Sequence, residues 1–489
     1  MGTKCEQRVH NSAYISQKGQ VDQHMSTENT HYGAQAIEEM LKGRRHIFFI
    51  GIGGINMSAL ARITASHGYI VSGSDRMRTA LTETLKDEGI HVYYSHSPRH
   101  LKDVDAVVYT VAIDPDNPEL VAARDRGLPC ISRADYLGYL MSSYQRRIGI
   151  SGMHGKSTCT AMCSQIFLDS DPTIVCGAEI AAIGGACRIG EPGKYFLFEA
   201  CEYMDSFLDF EPNIAVILNI EMDHVDYFHS MEQIKTSFAA FAAKAGTRGY
   251  VVANADDENV MDAIRGFDGK IVTFGVNTKS ADYAATNISS HDGKPCFDIF
   301  RAGEFFCHIQ LNVPGRHNIY NALAAAAVAN ICRMGATRIT EALENFGGAK
   351  RRMEYKGTFC GADVYDDYGH HPTEIAATLD GVCRMGYDRI FCVFQPHTYS
   401  RLHELFHDFA KSFIDADRII VADVYAARED NIYEVSSKLL AQTIGKQAEY
   451  IDSFEGIANY LRQNVFEGDV IIVMGAGDTY RLFPLMGLS

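Results

Sequence analysis

Short apolar runs recur along most of the chain, and between many of them lie segments whose apolar residues return every three or four positions. His46–Ile52, Ala106–Tyr109, Arg147–Ile150, Ile214–Asn219, Tyr250–Asn254, Ile390–Phe394, Ile419–Asp423 and Val470–Met474 have the length and content of buried strands. Met57–His67, Ser157–Leu168 and Asn318–Met334 carry the helical period. Strands that alternate with helices pair in parallel, because a parallel connection needs a crossover long enough to hold a helix. The predicted fold class is therefore α/β, with helices on both faces of parallel sheets. There is no short-period repeat, although three α/β units of one kind follow one another.

Length sharpens this picture. A chain of 489 residues is too long for one hydrophobic core. Breaks in the pattern near Tyr144 and Lys350 divide it into 45–143, 144–349 and 350–489. Residues 1–44 are polar and lack the apolar run of an export signal, so they are expected to form a flexible tail, with about the first 30 outside the fold. Nowhere do 18 apolar residues run together, so no membrane span is expected.

Composition excludes other classes. At 46% hydrophobic and 22% charged residues the chain is ordinarily globular rather than disordered. A formal net charge of −16 argues against a nucleic-acid partner, whose phosphates need Lys and Arg, but leaves room for a local basic pocket holding a small phosphorylated ligand. The 13 cysteines are an odd number and form no CxxC pair, so reduced thiols in the cytoplasm are expected. Cys159 and Cys163 lie one helical turn apart, which reads as helix packing before it reads as a metal pair.

Three turns carry the candidate chemistry. The first, Gly51-Ile52-Gly53-Gly54-Ile55-Asn56-Met57-Ser58, joins a strand to a helix. Glycines there let a phosphate approach the backbone at a helix N-terminus, and Asp75, past the strand Tyr69–Ser72, is placed for a ribose hydroxyl. A structural tight turn is the alternative. The dinucleotide fingerprint needs Gly where Asn56 stands, which disfavours NAD.

The second turn, Gly152-Met153-His154-Gly155-Lys156-Ser157-Thr158, follows a strand and opens a helix, as a phosphate-binding loop must. Its backbone N–H groups would wrap phosphates, Lys156 would neutralise them, and the Ser157 hydroxyl would reach Mg²⁺. The strict eight-residue pattern is not met, because Ile150 stands where its first Gly belongs. The third turn, Gly347–Arg352, is glycine-rich and basic.

Acidic residues stand at two later strand ends. Tyr195–Phe198 ends in Glu199-Ala200-Cys201-Glu202, and Ile214–Ile220 ends in Glu221-Met222-Asp223-His224. Glu199 is placed for the nucleotide's metal. His224 is either structural or functional, since imidazole is not a usual Mg²⁺ ligand.

These motifs, together with His317-Asn318-Ile319-Tyr320-Asn321, Arg352-Met353-Glu354 and Asp366-Asp367-Tyr368-Gly369-His370-His371-Pro372, occur in the order seen in the Mur ligases, and from about residue 45 to 489 the chain resembles that family. The segments 51–58, 366–372 and Phe394-Gln395-Pro396-His397-Thr398-Tyr399-Ser400-Arg401 resemble the branch that adds L-alanine to UDP-N-acetylmuramate rather than the branch that recycles murein tripeptide.

The resemblance implies a three-domain Mur ligase architecture: a Rossmann-like UDP-binding domain, a P-loop-type central ATPase domain and a Rossmann-like C-terminal domain for the amino acid. It implies ATP and Mg²⁺ as cofactors, an acyl-phosphate intermediate, and a place in peptidoglycan precursor synthesis. The resemblance also assigns roles. Gly53 and Gly54 would meet the UDP-sugar; Gly152 to Thr158, with Met153 and His154, would hold ATP. Ser157 and Glu199 would hold one Mg²⁺, and His224 would sit at a second metal. Asn318 and Asn321 would contact the adenine side, while Arg352 and Asp367 would reach the γ-phosphate and ribose on closure. Lys156, His224 and Arg352 are the expected catalytic residues.

His397 and Arg401 follow a strand end, where a guanidinium fork can hold the amino acid's carboxylate. A surface ion pair at a helix start is the alternative for Arg401. The chain departs from the family pattern at Met153, Ser157, Asn56, and at Cys201 and Met204, which replace acids. Those last two keep a nucleotide-binding regulator without catalysis among the rivals, beside a recycling or folylpolyglutamate-like ligase. Alanine at Lys156 or Glu199 is expected to remove charge rather than core.

Overall fold

The structure, a computed structural model, describes residues 27–225, 227–427 and 429–488. Three sheets follow one another along the chain. The first contains β1 (His46–Ile50), β2 (Ile70–Ser74), β3 (His91–Tyr93), β4 (Ala106–Tyr109) and β5 (Cys130–Ser132). All are parallel, in the order β3-β2-β1-β4-β5, so the chain reverses direction across the sheet at β1. Phe48 and Phe49 point to opposite faces and both are fully buried, as expected for a strand covered by helices on each side.

The second sheet has ten strands: β6 (Arg146–Ser151), β7 (Thr173–Ile180), β8 (Gly185–Arg188), β9 (Tyr195–Glu199), β10 (Ile214–Ile217), β11 (Tyr250–Asn254), β12 (Lys270–Gly275), β13 (Tyr283–His291), β14 (Lys294–Arg301) and β15 (Glu304–Gln310). Their order is β15-β14-β13-β12-β11-β10-β6-β9-β7-β8. The run from β12 to β7 is parallel. An antiparallel meander, β13 to β15, extends one edge, and β8 pairs antiparallel at the other. The helix His317–Ile331 lies against this sheet with eleven buried residues, most of them alanine, so backbone and sheet approach closely.

The third sheet contains β16 (Glu354–Phe359), β17 (Ala362–Asp367), β18 (Ile390–Phe394), β19 (Arg418–Val421), β20 (Ala448–Tyr450) and β21 (Val470–Met474). Its order is β16-β17-β21-β18-β19-β20, parallel except for the hairpin strand β16. Fully buried Ile471, Ile472 and Val473 run through its centre.

The expected strands and helices are present, with their ends unshifted or moved by at most three residues. The strand expected to reach Ile52 stops at Ile50, because the chain turns at Gly51. One expectation needs correction. Residues 1–26 lie outside the described residues, but 27–44 are not a loose tail. Thr30 Oγ1 and the Tyr32 and Gly33 amides all donate to the Asp135 carboxylate, and the helix Ala34–Leu41 buries Ile37 and Leu41. Among the described residues no helix is long and apolar enough to cross a membrane.

Candidate functional site

The second turn leaves β6, bends through Gly152 and Gly155, and enters the helix Lys156–Phe167. Gly155 has φ 83°, and a Cβ there would stand 2.6 Å from Asn321 Oδ1, so only glycine fits. Asn219 clamps the turn from β10's end: its Oδ1 accepts the His154 amide at 2.8 Å and its Nδ2 donates to His154 O at 3.0 Å. The turn is thus held before any ligand arrives.

Lys156 does not project freely. Its Nζ donates to Gly152 O at 2.6 Å and to both Glu202 oxygens at 2.9 and 3.1 Å. Glu202 is fully buried and also faces His224 Nε2 at 3.2 Å. Burial pushes the Glu202 carboxyl up, but Lys156 and His224 outweigh it and hold it below its ordinary value. Glu202 is therefore the hub that positions both side chains. In the sequence it stood only as a substitute for Glu199 at the metal; its pairing with Lys156 was not legible, and the left-handed backbone at Met204 and Asp205 (φ 52° and 54°) that follows it is one no spacing rule anticipates.

Glu199 ends β9. Its Oε1 accepts the Cys176 thiol at 3.3 Å, and the same thiol reaches the Ser157 backbone carbonyl at 3.9 Å, so Glu199 lies near the start of the helix that carries Ser157. A Cβ at Gly177 would fall 2.5 Å from Glu199 Oε2; glycine makes room for the carboxylate. A hydroxyl and a carboxylate are hard oxygen donors, and this pair fits a magnesium-class ion.

Beside the turn lies a cavity of about 220 Å³ between the second and third sheets. Asn318 and Asn321 line one wall; Asn321 Nδ2 donates to Asn318 Oδ1 at 3.0 Å. Arg352, Asp367 and Glu374 line the opposite wall. Arg352 Nη1 donates to Glu374 Oε1 at 3.2 Å, and its guanidinium lies over the Tyr368 ring. Asp367 accepts the Met353 and Gly369 amides at 2.9 and 2.8 Å. Burial raises the Asp367 carboxyl, with Arg352 and these amides opposing.

Glu374 went unnoticed in the sequence. It follows His371-Pro372-Thr373 as the third residue of the helix Pro372–Cys383, where an acid ordinarily reads as a capping residue. It does cap, accepting the His370 amide at 3.1 Å, but it also faces Arg352 and His154. Burial disfavours the His154 cation, yet Glu374 and Glu221 outweigh this and raise its pKa to about 9.

His397 and Arg401 meet the end of β10. Arg401 donates through Nε to Asp223 Oδ1 at 3.0 Å, and its Nη1 lies 3.3 Å from His397 Nδ1. Arg401 is 8% exposed, so this is a buried pair across the two sheets and not the surface ion pair considered above. Burial pushes Asp223 up, but Arg401 and His224 hold its carboxyl far below the usual range.

The first turn stands apart from this cavity. Asp75 Oδ2 accepts the Gly53 amide at 2.9 Å and Oδ1 accepts the Met77 amide at 3.0 Å, so its carboxylate braces the turn. Gly54 caps the helix Ile55–Ser66, which places Asn56 inside the helix rather than in the turn. Cys159 and Cys163 are both buried in the core.

Models of known families match the chain in three consecutive stretches: "Mur ligase family, catalytic domain" over residues 46–145, "Mur ligase middle domain" over 150–329, and "Mur ligase, glutamate ligase domain" over 351–477. A UDP-N-acetylmuramate–L-alanine ligase of Acetivibrio thermocellus is 47% identical over 90% of this chain and 94% of that protein. One from Caldicellulosiruptor saccharolyticus is 46% identical over 90% and 97%. The crystal structure of a UDP-N-acetylmuramate–alanine ligase from Thermotoga maritima superimposes with a TM-score of 0.75 at 29% identity, covering 89% of this chain and 97% of that one.

Proposed function

The chain belongs to the Mur ligase family, and we propose that its reaction is the ATP-dependent joining of L-alanine to UDP-N-acetylmuramate, a step of peptidoglycan precursor synthesis. The observation that carries this reading is a built site in a chain so similar to L-alanine-adding relatives. One cavity gathers the GxxGKS turn, the asparagine pair of the helix His317–Ile331 and the Arg352–Asp367–Glu374 wall.

The domains are taken as 45–143 for the UDP-sugar, 144–349 for ATP and 350–489 for the amino acid, with the helix Ala34–Leu41 joined to the first. A carboxylate does not react with an amine, because its leaving oxygen is too basic. In this reaction the lactyl carboxylate attacks the γ-phosphorus and ADP leaves. The amine of alanine then attacks the acyl phosphate, and phosphate leaves the tetrahedral intermediate to give the amide.

The chain's own groups serve these steps through charge and position. The turn amides and Lys156 hold the phosphates, with Lys156 exchanging Glu202 for phosphate oxygens. Arg352 approaches the transferring group from the third domain. Asn318 and Asn321 meet the base, and Asp367 the ribose. Gly53 and Gly54 face the UDP-sugar, and Asp75 keeps their turn in shape. Ser157 and Glu199 would hold Mg²⁺, which supplies charge neutralisation on the phosphates. His224, beside Glu202, would serve a second metal near the acyl phosphate. Closure of the third domain keeps water from the acyl phosphate. A cytoplasmic setting with reduced thiols belongs to the same proposal.

The test is ADP release from the purified chain with each UDP-sugar and amino acid in turn. ADP is expected only with UDP-N-acetylmuramate, and L-alanine should accelerate it strongly. Glycine and L-serine should be poorer, by an amount set by one methyl or hydroxyl, about 1–3 kcal/mol. Turnover with UDP-sugar and a tripeptide but none with L-alanine would overturn the assignment.

Glu199→Ala tests the metal position. Its kcat should fall by about 10²-fold or more, the size expected when one charge-positioning group is lost. The Mg²⁺ concentration for half-maximal rate should rise. Normal activity at limiting Mg²⁺ would move the metal elsewhere.

A further inference from the structure

Three residues without a metal-binding role in the ligase reaction meet at the edge of the nucleotide cavity. His154 comes from the turn after β6, Glu221 from the loop after β10, and His371 from the N-cap of the helix Pro372–Cys383. Each offers one ligand-type atom, and the three atoms lie within 4.8 Å of one another.

The three members make no hydrogen bonds to one another, although Glu221 Oε2 accepts the Thr373 hydroxyl at 2.7 Å. His154 Nε2 is buried and has no hydrogen-bond partner. Glu221 Oε2 stands 3.6 Å from it, beyond hydrogen-bond distance. The other ring nitrogen, Nδ1, lies 3.4 Å from Glu374 Oε1, so a carboxylate backs the imidazole, as partners behind metal-bound histidines do. His371 makes only long contacts, with Met222 O at 3.3 Å and the Thr373 amide at 3.4 Å. Its ring centroid is 4.7 Å from that of His154. A buried nitrogen is costly to leave without a partner. At neutral pH the raised pKa keeps a proton on the His154 ring, so an ion that binds Nε2 must displace it, and binding releases a proton.

Two imidazoles and one carboxylate are the donor set of a zinc-class ion with a fourth position open. The set is poorly suited to magnesium, which takes oxygen ligands. It therefore differs in kind from the Ser157–Glu199 pair.

We propose that His154, Glu221 and His371 bind a zinc-class divalent ion that clamps the C-terminal unit onto the central one. Two ligands belong to the second-sheet unit and the third to the third-sheet unit, so only the closed arrangement completes the set. An ion that binds the closed form and not the open one shifts the equilibrium toward closure. Product release needs opening, so the clamp slows the cycle. The site stands on its own donor geometry and does not depend on which amino acid or sugar the enzyme uses.

The experiment titrates Co²⁺, a spectroscopic stand-in for Zn²⁺, into the full chain without nucleotide. Weak visible bands report nitrogen and oxygen ligands; intense near-ultraviolet bands report thiolate ligands. One equivalent is expected to give the visible bands alone, Zn²⁺ should displace it, and excess Mg²⁺ should not. Glu221→Gln and His371→Asn should each weaken binding by at least about tenfold. Asparagine keeps a helix cap at position 371, and Glu221→Gln alters a side chain that is 35% exposed, so circular dichroism should show both variants folded. Parental affinity in both folded variants, or thiolate bands in the parent, would overturn the proposal.

Discussion

Replacing Lys156 by alanine is expected to lower turnover by about 10³-fold, the upper range for losing one preorganised electrostatic donor. The side chain opens the helix beside the glycine turn, where the phosphates are proposed to lie. The structure adds a consequence that the sequence did not disclose. Lys156 is the nearest cation to the fully buried Glu202, at 2.9 Å. Removing one partner of a buried pair costs about 3–5 kcal/mol, because a charge is left without compensation. His224 at 3.2 Å offsets part of this. Lys156→Ala should therefore also lower the Tm, which corrects the expectation that only charge and not stability would be lost. The control is Lys156→Met combined with Glu202→Gln, which removes both charges and keeps most of the volume. Thermal denaturation should show stability largely restored, while ADP release stays near the level of Lys156→Ala. Recovery of turnover in the double variant would show that Lys156 serves the fold and not the phosphates.

The strands were legible because parallel strands covered on both faces read as continuous apolar runs, and HIFFI and VIIVM are such runs. The meander β13 to β15 was not, because it offers no continuous apolar run: Tyr283–His291 is buried only at its first three residues, and Lys294–Arg301 is buried at every second residue over most of its length. The helix Ala34–Leu41 was missed for a related reason. Its apolar face is short and is set in a polar segment, so composition outweighed period. The glycine turns and strand-end acids were legible as a set. What each acid faces was not, because partners such as Glu202 with Lys156, or Glu374 with Arg352, are 46 and 22 positions apart and meet only through the sheet order. Asn56 lies inside the helix that begins at Ile55 and does not shape the bend of the turn.

Arg401→Ala is the second change with a large expected effect, and it separates two roles that the geometry overlays. Arg401 holds Asp223 across the interface, with Nε and Nη2 both 3.0 Å from Oδ1. It also stands beside His397, whose pKa burial and the Arg401 charge lower to about 4, so His397 is neutral at pH 7. With ionised Asp223 at 3.0 Å the Arg401 charge is already paired, so an amino-acid carboxylate would have to share the guanidinium with Asp223 or displace it. Loss of the guanidinium leaves Asp223 buried and unpaired, at a cost of about 3–5 kcal/mol that falls on domain closure. The alanine KM should rise by about tenfold or more and kcat should fall, while the KM for UDP-sugar changes little. A loss of closure alone would give much the same phenotype. Arg401→Met with Asp223→Asn decides between them, because it removes both charges and lets the interface close. If Arg401 holds the alanine carboxylate, the double variant should close, as read by small-angle scattering with ADP bound, yet keep the raised alanine KM. Parental alanine KM and kcat in the double variant would limit Arg401 to the ion pair with Asp223. The amino-acid carboxylate would then be held by other groups of the third domain.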